Sequence, residues 1–227
     1  MKDFLNKIDF REANACFLLL VGLISLPFIV RKTLRKGTAT YLKLIPAYIF
    51  FIVLQLGIAN YFVFRNTHFN TNKNPTNISA YVFTIIEYCI FAIFLSKFIK
   101  LPIVKKYLIV SCIIFIAIGI ITWYSIPSFY RDLTIITNIE TVSLIPFCLF
   151  YFFELLNNPP FLKLTEEPAF WITTGILFLF ICITPFYLAF HYFRKIPEMQ
   201  VIDYFGYDLI ILFFVKASFT KPKTSNG

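Results

Sequence analysis

The chain has 227 residues, of which 59% are hydrophobic and 15% are charged, and its formal net charge is +9. A soluble domain carries charge on roughly a quarter of its residues, so this chain has too few charged side chains to cover a water-facing surface. Its basic residues lie in short clusters between apolar stretches, which indicates membrane topology rather than nucleic-acid binding. Composition therefore predicts one integral membrane domain that contacts lipid, with no nucleic acid as a partner.

The chain contains seven stretches that approach the roughly 20 apolar residues needed to cross a bilayer. The first ends at a basic cluster that begins at Arg31, and no small-residue cleavage site follows it, so we interpret it as a retained helix rather than a signal peptide. The second is followed by an Asn-rich loop, and the fifth is followed by Asn157. The seventh is the least regular, because Asp203 and Asp208 interrupt it. The predicted spans are residues 13–30, 42–64, 78–98, 107–126, 133–156, 169–193 and 201–219.

These spans predict an all-α fold class, a polytopic bundle of about seven transmembrane helices. Orientation follows from the distribution of Lys and Arg on alternate sides of the membrane. The side reached after the first, third, fifth and seventh spans carries more of them, so it is predicted to be cytoplasmic. The N-terminus is then outside, the C-terminus is cytoplasmic, and the protein is a multi-pass protein of the cell (inner) membrane.

Acidic residues inside the spans are the main functional signal, because ionisable groups in a bilayer are costly. Glu87 lies near the midplane of the third span, and Glu140 and Asp208 lie in the outer to middle part of theirs. Threonine hydroxyls share the helix faces of Glu87 and Glu140 at spacings of one turn, and Asn138 adds an amide on the fifth span. The predicted ligand or ion pocket consists of Glu87, Glu140, Asp208, Thr84, Thr137, Asn138 and Thr141.

Such a pocket in the outer half of the bundle suits a small ligand, a cation, an amine or a proton. Three other interpretations stay open. The carboxyls could be hydrogen-bonded and serve only to fasten helices together. They could also line an ion or proton pathway, or act as paired carboxylates in a membrane enzyme, although no enzyme motif occurs and we expect no catalytic activity.

No cofactor and no metal are predicted. Lys216 lies too close to the polar tail for a retinal Schiff base, and a snorkelling role at the interface fits it better. The two histidines, His68 and His191, do not make a haem or zinc site. The five cysteines lie in apolar spans without a CxxC pair, so they are predicted to be buried structural thiols.

Three segments are more specific: IEY around Glu87, YFFELLNNPP from Tyr151, and EEPAFWITTGILF ending at Phe178. They resemble a family of uncharacterised bacterial seven-transmembrane-helix proteins with an acidic residue in helix 3, a YFxELL end of helix 5 and a PxFW start of helix 6. The resemblance implies a seven-helix fold and, through neighbouring sensor histidine kinases, a link to signalling. The matching positions are Glu87, Tyr151, Glu154, Leu155, Pro168, Phe170, Trp171 and Gly175.

The inner ends of helices 5 and 6 carry the rest of this motif. Phe170 and Trp171 are expected to anchor the sixth helix at the cytoplasmic interface, near Glu154. The alternative is that Glu154, Phe170 and Trp171 form a docking surface for a partner. The loops leave no room for a soluble output domain, so signalling would need another protein.

The sequence thus favours a receptor-like or sensory membrane protein that acts through a signalling partner such as a sensor histidine kinase. One alternative is a small-solute or proton-coupled transporter, against which the absence of a clear internal repeat counts. The other is a membrane scaffold or assembly factor, in which the carboxyls only hold the helices together.

Overall fold

The computed structural model describes residues 10–34, 40–64, 75–125, 129–157, 164–188 and 197–220. Within these segments every regular element is helical and no strand occurs. Short 3₁₀ turns precede α2 and α6, at Thr40–Lys43 and Leu164–Glu166. The long helices are α1 (Phe10–Thr33), α2 (Leu44–Phe64), α3 (Pro75–Phe98), α4 (Pro102–Ser125), α5 (Phe129–Asn157), α6 (Pro168–Leu188) and α7 (Pro197–Phe219).

Helices α4 and α5 extend beyond the spans predicted from hydropathy. Helix α4 begins at Pro102, earlier than the predicted start at residue 107, because proline suits the first position of a helix and the long stems of Lys105 and Lys106 are tolerated near an interface. Helix α5 continues to both sides of the predicted span and reaches 29 residues. The end predicted for the sixth span, residue 193, lies outside the described residues.

Six of these helices are long and apolar enough to cross a membrane. They are α1 to α6, and they support a multi-pass membrane protein. Helix α7 has the required length of 23 residues but carries Asp203 and Asp208 between its ends. Its status as a seventh span therefore stays a prediction.

Helix α3 lies at the centre of the bundle, where it packs against α2, α4, α5 and α6. The most extensive helix pair is α6 with α7, and α1 packs against both α2 and α7. Helix α4 packs against α3 and α5, and its other face exposes a row of isoleucines, including Ile113 at 64%. A large exposed apolar surface of this kind suits lipid contact.

Glycine allows the close approach of α6 and α7. A Cβ atom on Gly175 would lie 2.8 Å from the Cβ of Phe213, closer than such atoms approach in proteins. Small residues permit this kind of backbone proximity between membrane helices. Gly57 is the opposite case, because a Cβ there would meet nothing within 4 Å.

Candidate functional site: a buried carboxyl centre

Glu87 on α3 is only 3% exposed and accepts hydrogen bonds from two tyrosines on other helices. The Tyr48 hydroxyl of α2 donates to Glu87 Oε1 at 2.5 Å. The Tyr207 hydroxyl of α7 donates to Glu87 Oε2 at 3.2 Å. One carboxyl group therefore joins three helices through both of its oxygens.

The aromatic packing around Tyr48 explains why its hydroxyl reaches Glu87. Phe83 and Phe91 lie one helical turn before and after Glu87, so all three side chains share one face of α3. The Tyr48 ring packs on both phenylalanines, with centroid distances of 6.5 Å to Phe83 and 5.1 Å to Phe91. Phe214 of α7 contacts the same ring at 5.4 Å. Apolar contacts thus fix the position of a buried polar group.

Glu140 on α5 is the second carboxyl of the centre. It is 1% exposed and lies within electrostatic range of Glu87. Its Oε1 atom is buried and accepts no hydrogen bond from any group that the structure describes. A buried acceptor without a partner is costly, roughly 1–3 kcal/mol and more for a charged group, so this atom requires an explanation. We call Glu87, Glu140, Tyr48 and Tyr207 the carboxyl centre.

Two of the predicted threonines bond within their own helices. Thr84 donates to the carbonyl of Ala80 at 3.0 Å, and Thr141 donates to the carbonyl of Thr137 at 2.8 Å. Bonds of this type, to the residue one turn earlier, satisfy a hydroxyl locally in an apolar setting. Thr84, Thr137 and Thr141 are all buried, at 6%, 7% and 1% exposure.

The remaining predicted pocket residues lie at helix interfaces or apart from the glutamates. Asn138 donates from Nδ2 to the carbonyl of Tyr187 at 3.4 Å, which links α5 to α6. Asp208 follows Tyr207 in the chain, but its Oδ1 is buried and accepts no hydrogen bond from a described group. The structure thus brings Glu87 and Glu140 together and leaves Asp208 outside their hydrogen bonds. His191 and the Asp203 side chain lie outside the described residues.

Sequence reasoning missed the tyrosines. Tyr48 and Tyr207 complete the centre, and Tyr88 lies in a second polar group, where it donates to Ser111 at 3.0 Å and accepts from Ser143 at 3.2 Å. The available signal was a tyrosine in the middle of an apolar span, because a buried phenol needs a partner. With 13 tyrosines in the chain, that signal alone did not select these three.

Two of the cysteines are neighbours rather than isolated thiols. The sulfur atoms of Cys89 on α3 and Cys112 on α4 lie 3.4 Å apart. Both are free thiols. The sequence shows no CxxC spacing because the contact is made between consecutive helices.

Glu154, at the end of α5, binds the turn between α3 and α4. Its Oε2 accepts the backbone N–H of Lys100 at 2.8 Å, and its Oε1 accepts that of Leu101 at 2.9 Å. Because these amides immediately precede α4, the carboxylate also lies near the positive end of that helix. Glu154 therefore has a clear architectural role, which is to attach α5 to the start of α4.

Replacing Glu154 with alanine is expected to lower the free energy of unfolding by about 1–2 kcal/mol, because two amides lose a charged acceptor in a partly exposed position. Thermal unfolding of the purified protein in detergent measures the change. Glu166→Ala is the matched control, since Glu166 is an exposed carboxylate in the 3₁₀ turn before α6. Equal unfolding temperatures for the two variants would contradict the role assigned to Glu154.

Phe170 and Trp171 also make contacts within the bundle. Trp171 Nε1 donates to the carbonyl of Thr165 at 2.9 Å, and its ring stacks on Phe213 of α7 at 6.0 Å. The ammonium of Lys216 lies 5.7 Å from the centre of the same ring. Phe170 meets Phe152 of α5 edge-on. These rings anchor the start of α6 between α5 and α7.

No known protein family, curated protein or solved structure matches this chain. The resemblance to bacterial seven-helix proteins therefore stays a prediction.

Proposed function

We propose that this chain is a receptor-like, sensory membrane protein in which the carboxyl centre responds to a small ligand and a partner protein carries the signal onward. The observation that supports this most directly is that Glu87 holds α2, α3 and α7 together. Beside it lies Glu140, whose buried Oε1 accepts no hydrogen bond from a group that the structure describes. Ionisable groups buried in a membrane bundle are functional candidates by default, because retaining them is costly.

The arrangement suits a switch because the hydrogen bonds of Glu87 depend on its charge. A ligand that changes the charge of the pair changes how strongly the Tyr48 and Tyr207 hydroxyls are held. Such a ligand would bind with different affinity to a helix arrangement in which these bonds are kept and to one in which they are broken. A difference in affinity between two states is the requirement for shifting a conformational equilibrium. Helix α7 connects the centre to the Glu154 end of the bundle, since it carries both Tyr207 and the Lys216 that lies over Trp171.

The proposal includes seven spans with the N-terminus outside and the C-terminus in the cytoplasm of an inner-membrane protein. Helix α7 packs against α1 and α6, both long and apolar enough to span, and this supports a seventh crossing. The excess of Lys and Arg on one side supports the orientation. Reporter fusions at the C-terminus test it: a fluorescent cytoplasmic reporter is expected to be active, and activity of a periplasmic phosphatase there would contradict it.

The partner is tested by mild crosslinking in native membranes, affinity purification of the full chain and mass spectrometry. We expect a signalling protein of the sensor histidine kinase class to be recovered. Glu166→Lys is the surface variant to test, because Glu166 is exposed at the same end of the bundle as Glu154. Glu154 is less suitable, because its carboxylate holds the turn between α3 and α4. Tyr61, exposed on α2, gives a control variant, Tyr61→Phe. Recovery of the protein alone would contradict action through a partner.

A proton-coupled carrier is the second candidate. The observation that favours it is the buried Oε1 of Glu140, which has no hydrogen-bond donor among the described residues. In proteoliposomes, a carrier would move protons or a solute at a rate that falls when Glu140 or Glu87 becomes glutamine. A receptor would show no flux in the same assay. If neither flux nor partner recovery is found, the carboxyls serve as interhelical fastenings in a scaffold protein.

A further inference from the structure

Two thiols from consecutive helices meet inside the bundle. Cys89 of α3 and Cys112 of α4 are free, and their sulfur atoms lie 3.4 Å apart. We call them the thiol pair. Helix α3 ends at Phe98 and α4 begins at Pro102, so a rise of 1.5 Å per residue places the pair roughly 14–15 Å from the turn between them. Half of a bilayer's hydrocarbon core is about 15 Å thick, so the pair lies near the middle of both candidate spans.

The other contacts between α3 and α4 set the register that brings the thiol pair together. Tyr88 stacks on Phe115, with ring centroids 4.0 Å apart, and its hydroxyl donates to Ser111 at 3.0 Å. Further from the turn, the Tyr81 hydroxyl donates to the carbonyl oxygen of Gly119 at 2.6 Å. Residue numbers rise along α3 as they fall along α4, which is the pattern of an antiparallel helix pair, and the thiol pair continues the series. Its contact therefore follows from the packing of two whole helices.

The thiol pair is accessible from the lipid side of the bundle. Both cysteines are partly exposed. Ile113 and Ile116, which lie beside and one turn beyond Cys112 on α4, are exposed, as is Ile93, one turn beyond Cys89 on α3. Exposed apolar side chains of this kind suit lipid contact. Small molecules that dissolve in the bilayer therefore reach the sulfurs, whereas charged, water-soluble molecules partition poorly into it.

We propose that a lipid-soluble quinone oxidises the thiol pair to a disulfide between α3 and α4. A disulfide needs the sulfurs about 2.0 Å apart, so they approach each other by roughly 1.4 Å, which small rotations of the two side chains supply. Both S–H bonds break and one S–S bond forms. Two electrons and two protons pass to the quinone, which becomes a hydroquinone. Quinones accept electrons of this kind from protein thiols.

The disulfide acts on the helix that carries the carboxyl centre. Cys89 follows Glu87 by two residues on α3, so the bond fixes this part of α3 relative to α4. The redox step itself is independent of the proposed ligand and partner, because neither thiol belongs to the carboxyl centre.

The test uses the purified full chain in lipid nanodiscs, reduced with dithiothreitol, freed of it and kept under nitrogen. Decylubiquinone is the oxidant, because its fully substituted ring cannot retain a thiol adduct. After incubation the protein is denatured in N-ethylmaleimide, and its intact mass gives the number of free thiols. We expect the wild type to fall from five free thiols to three, a loss of two, and to stay at five without quinone.

Single substitutions identify which thiols react. Cys89→Ala and Cys112→Ala each start with four thiols and are expected to keep all four, because each lacks one member of the pair. Cys148→Ala, which removes a buried thiol of α5, is the matched control and is expected to fall from four thiols to two. Glutathione disulfide, a charged and water-soluble oxidant, is expected to leave all five wild-type thiols free over the same period.

Five thiols retained by the wild type in decylubiquinone would overturn the proposal, and this measurement needs no variant to fold. Loss of two thiols in Cys89→Ala or Cys112→Ala would assign the reaction to other cysteines and would also overturn it. Equally fast oxidation by glutathione disulfide would show that the thiols are reached from water, which contradicts a lipid-soluble oxidant.

Discussion

Glu87→Leu is expected to lower the free energy of unfolding by about 2–4 kcal/mol, because each buried hydroxyl that loses its acceptor costs roughly 1–3 kcal/mol. Tyr48 is fully buried and its hydroxyl donates to Glu87 at 2.5 Å. Tyr207 donates to the other oxygen. Leucine fills similar space but accepts neither bond, so the effect isolates the hydrogen bonds from packing. Thermal or denaturant unfolding in detergent measures it.

The control is to remove the hydroxyls as well. Replacing both partners of a buried hydrogen bond with apolar groups of the same shape is nearly neutral, whereas removing one partner is costly. Tyr48→Phe together with Tyr207→Phe in the Glu87→Leu background is therefore expected to restore most of the lost stability. If the triple variant is less stable than Glu87→Leu, the hydroxyls do not depend on Glu87 and the assigned contacts are wrong.

Gly175→Leu is expected to destabilise the contact between α6 and α7 by about 3 kcal/mol, the upper end of the cost of overpacking. Even a methyl group at Gly175 would lie 2.8 Å from Phe213 Cβ and 3.4 Å from Ile210 Cγ1. The Cβ of Phe213 is fixed to the α7 backbone, so relief requires the two helices to separate. Because α7 carries Tyr207, separation should also weaken the bond to Glu87.

Gly57→Leu provides the matched control on α2. The surface there is an open apolar groove of about 360 Å³ that includes Leu54 and Tyr61, and nothing lies within 4 Å of the added Cβ. Leucine in place of glycine raises helix propensity, so stability should be unchanged or higher by up to about 1 kcal/mol. Equal losses at Gly175 and Gly57 would show a general intolerance of apolar bulk rather than a close helix contact.

Hydropathy predicted where the helices lie because the bilayer imposes a common length on them. Six helices long and apolar enough to span agree with that expectation, and α7, the least regular stretch in sequence, is the one that does not meet it. Hydropathy was less informative about where the helices begin after a loop. The start of α4 at Pro102 depends on its proline and on amides held by Glu154, and neither contributes to hydropathy.

The candidate site was predictable in part. The free-energy cost of placing an ionisable group inside a bilayer singles out Glu87 and Glu140, because carboxyls within apolar spans are easily recognised in any sequence. Their partners do not stand out. Tyr48 and Tyr207 lie far from Glu87 along the chain, and only the packing of α2 and α7 on α3 brings their hydroxyls to it. Asp208 is the opposite case. Its predicted depth in the membrane is similar to that of the glutamates, but it takes no part in the hydrogen bonds of the carboxyl centre.

The sequence by itself determined that this is a helical membrane protein, which residues form its apolar helices, and that acidic groups lie within them. These properties follow from composition along the chain, because each apolar segment partitions into the bilayer according to its own residues. The tertiary structure alone decided which groups meet: Glu87 with two tyrosines, Cys89 with Cys112, and Glu154 with the start of α4. Those pairings depend on how each helix is rotated and which neighbours it has, and interlocking side chains from several helices set both.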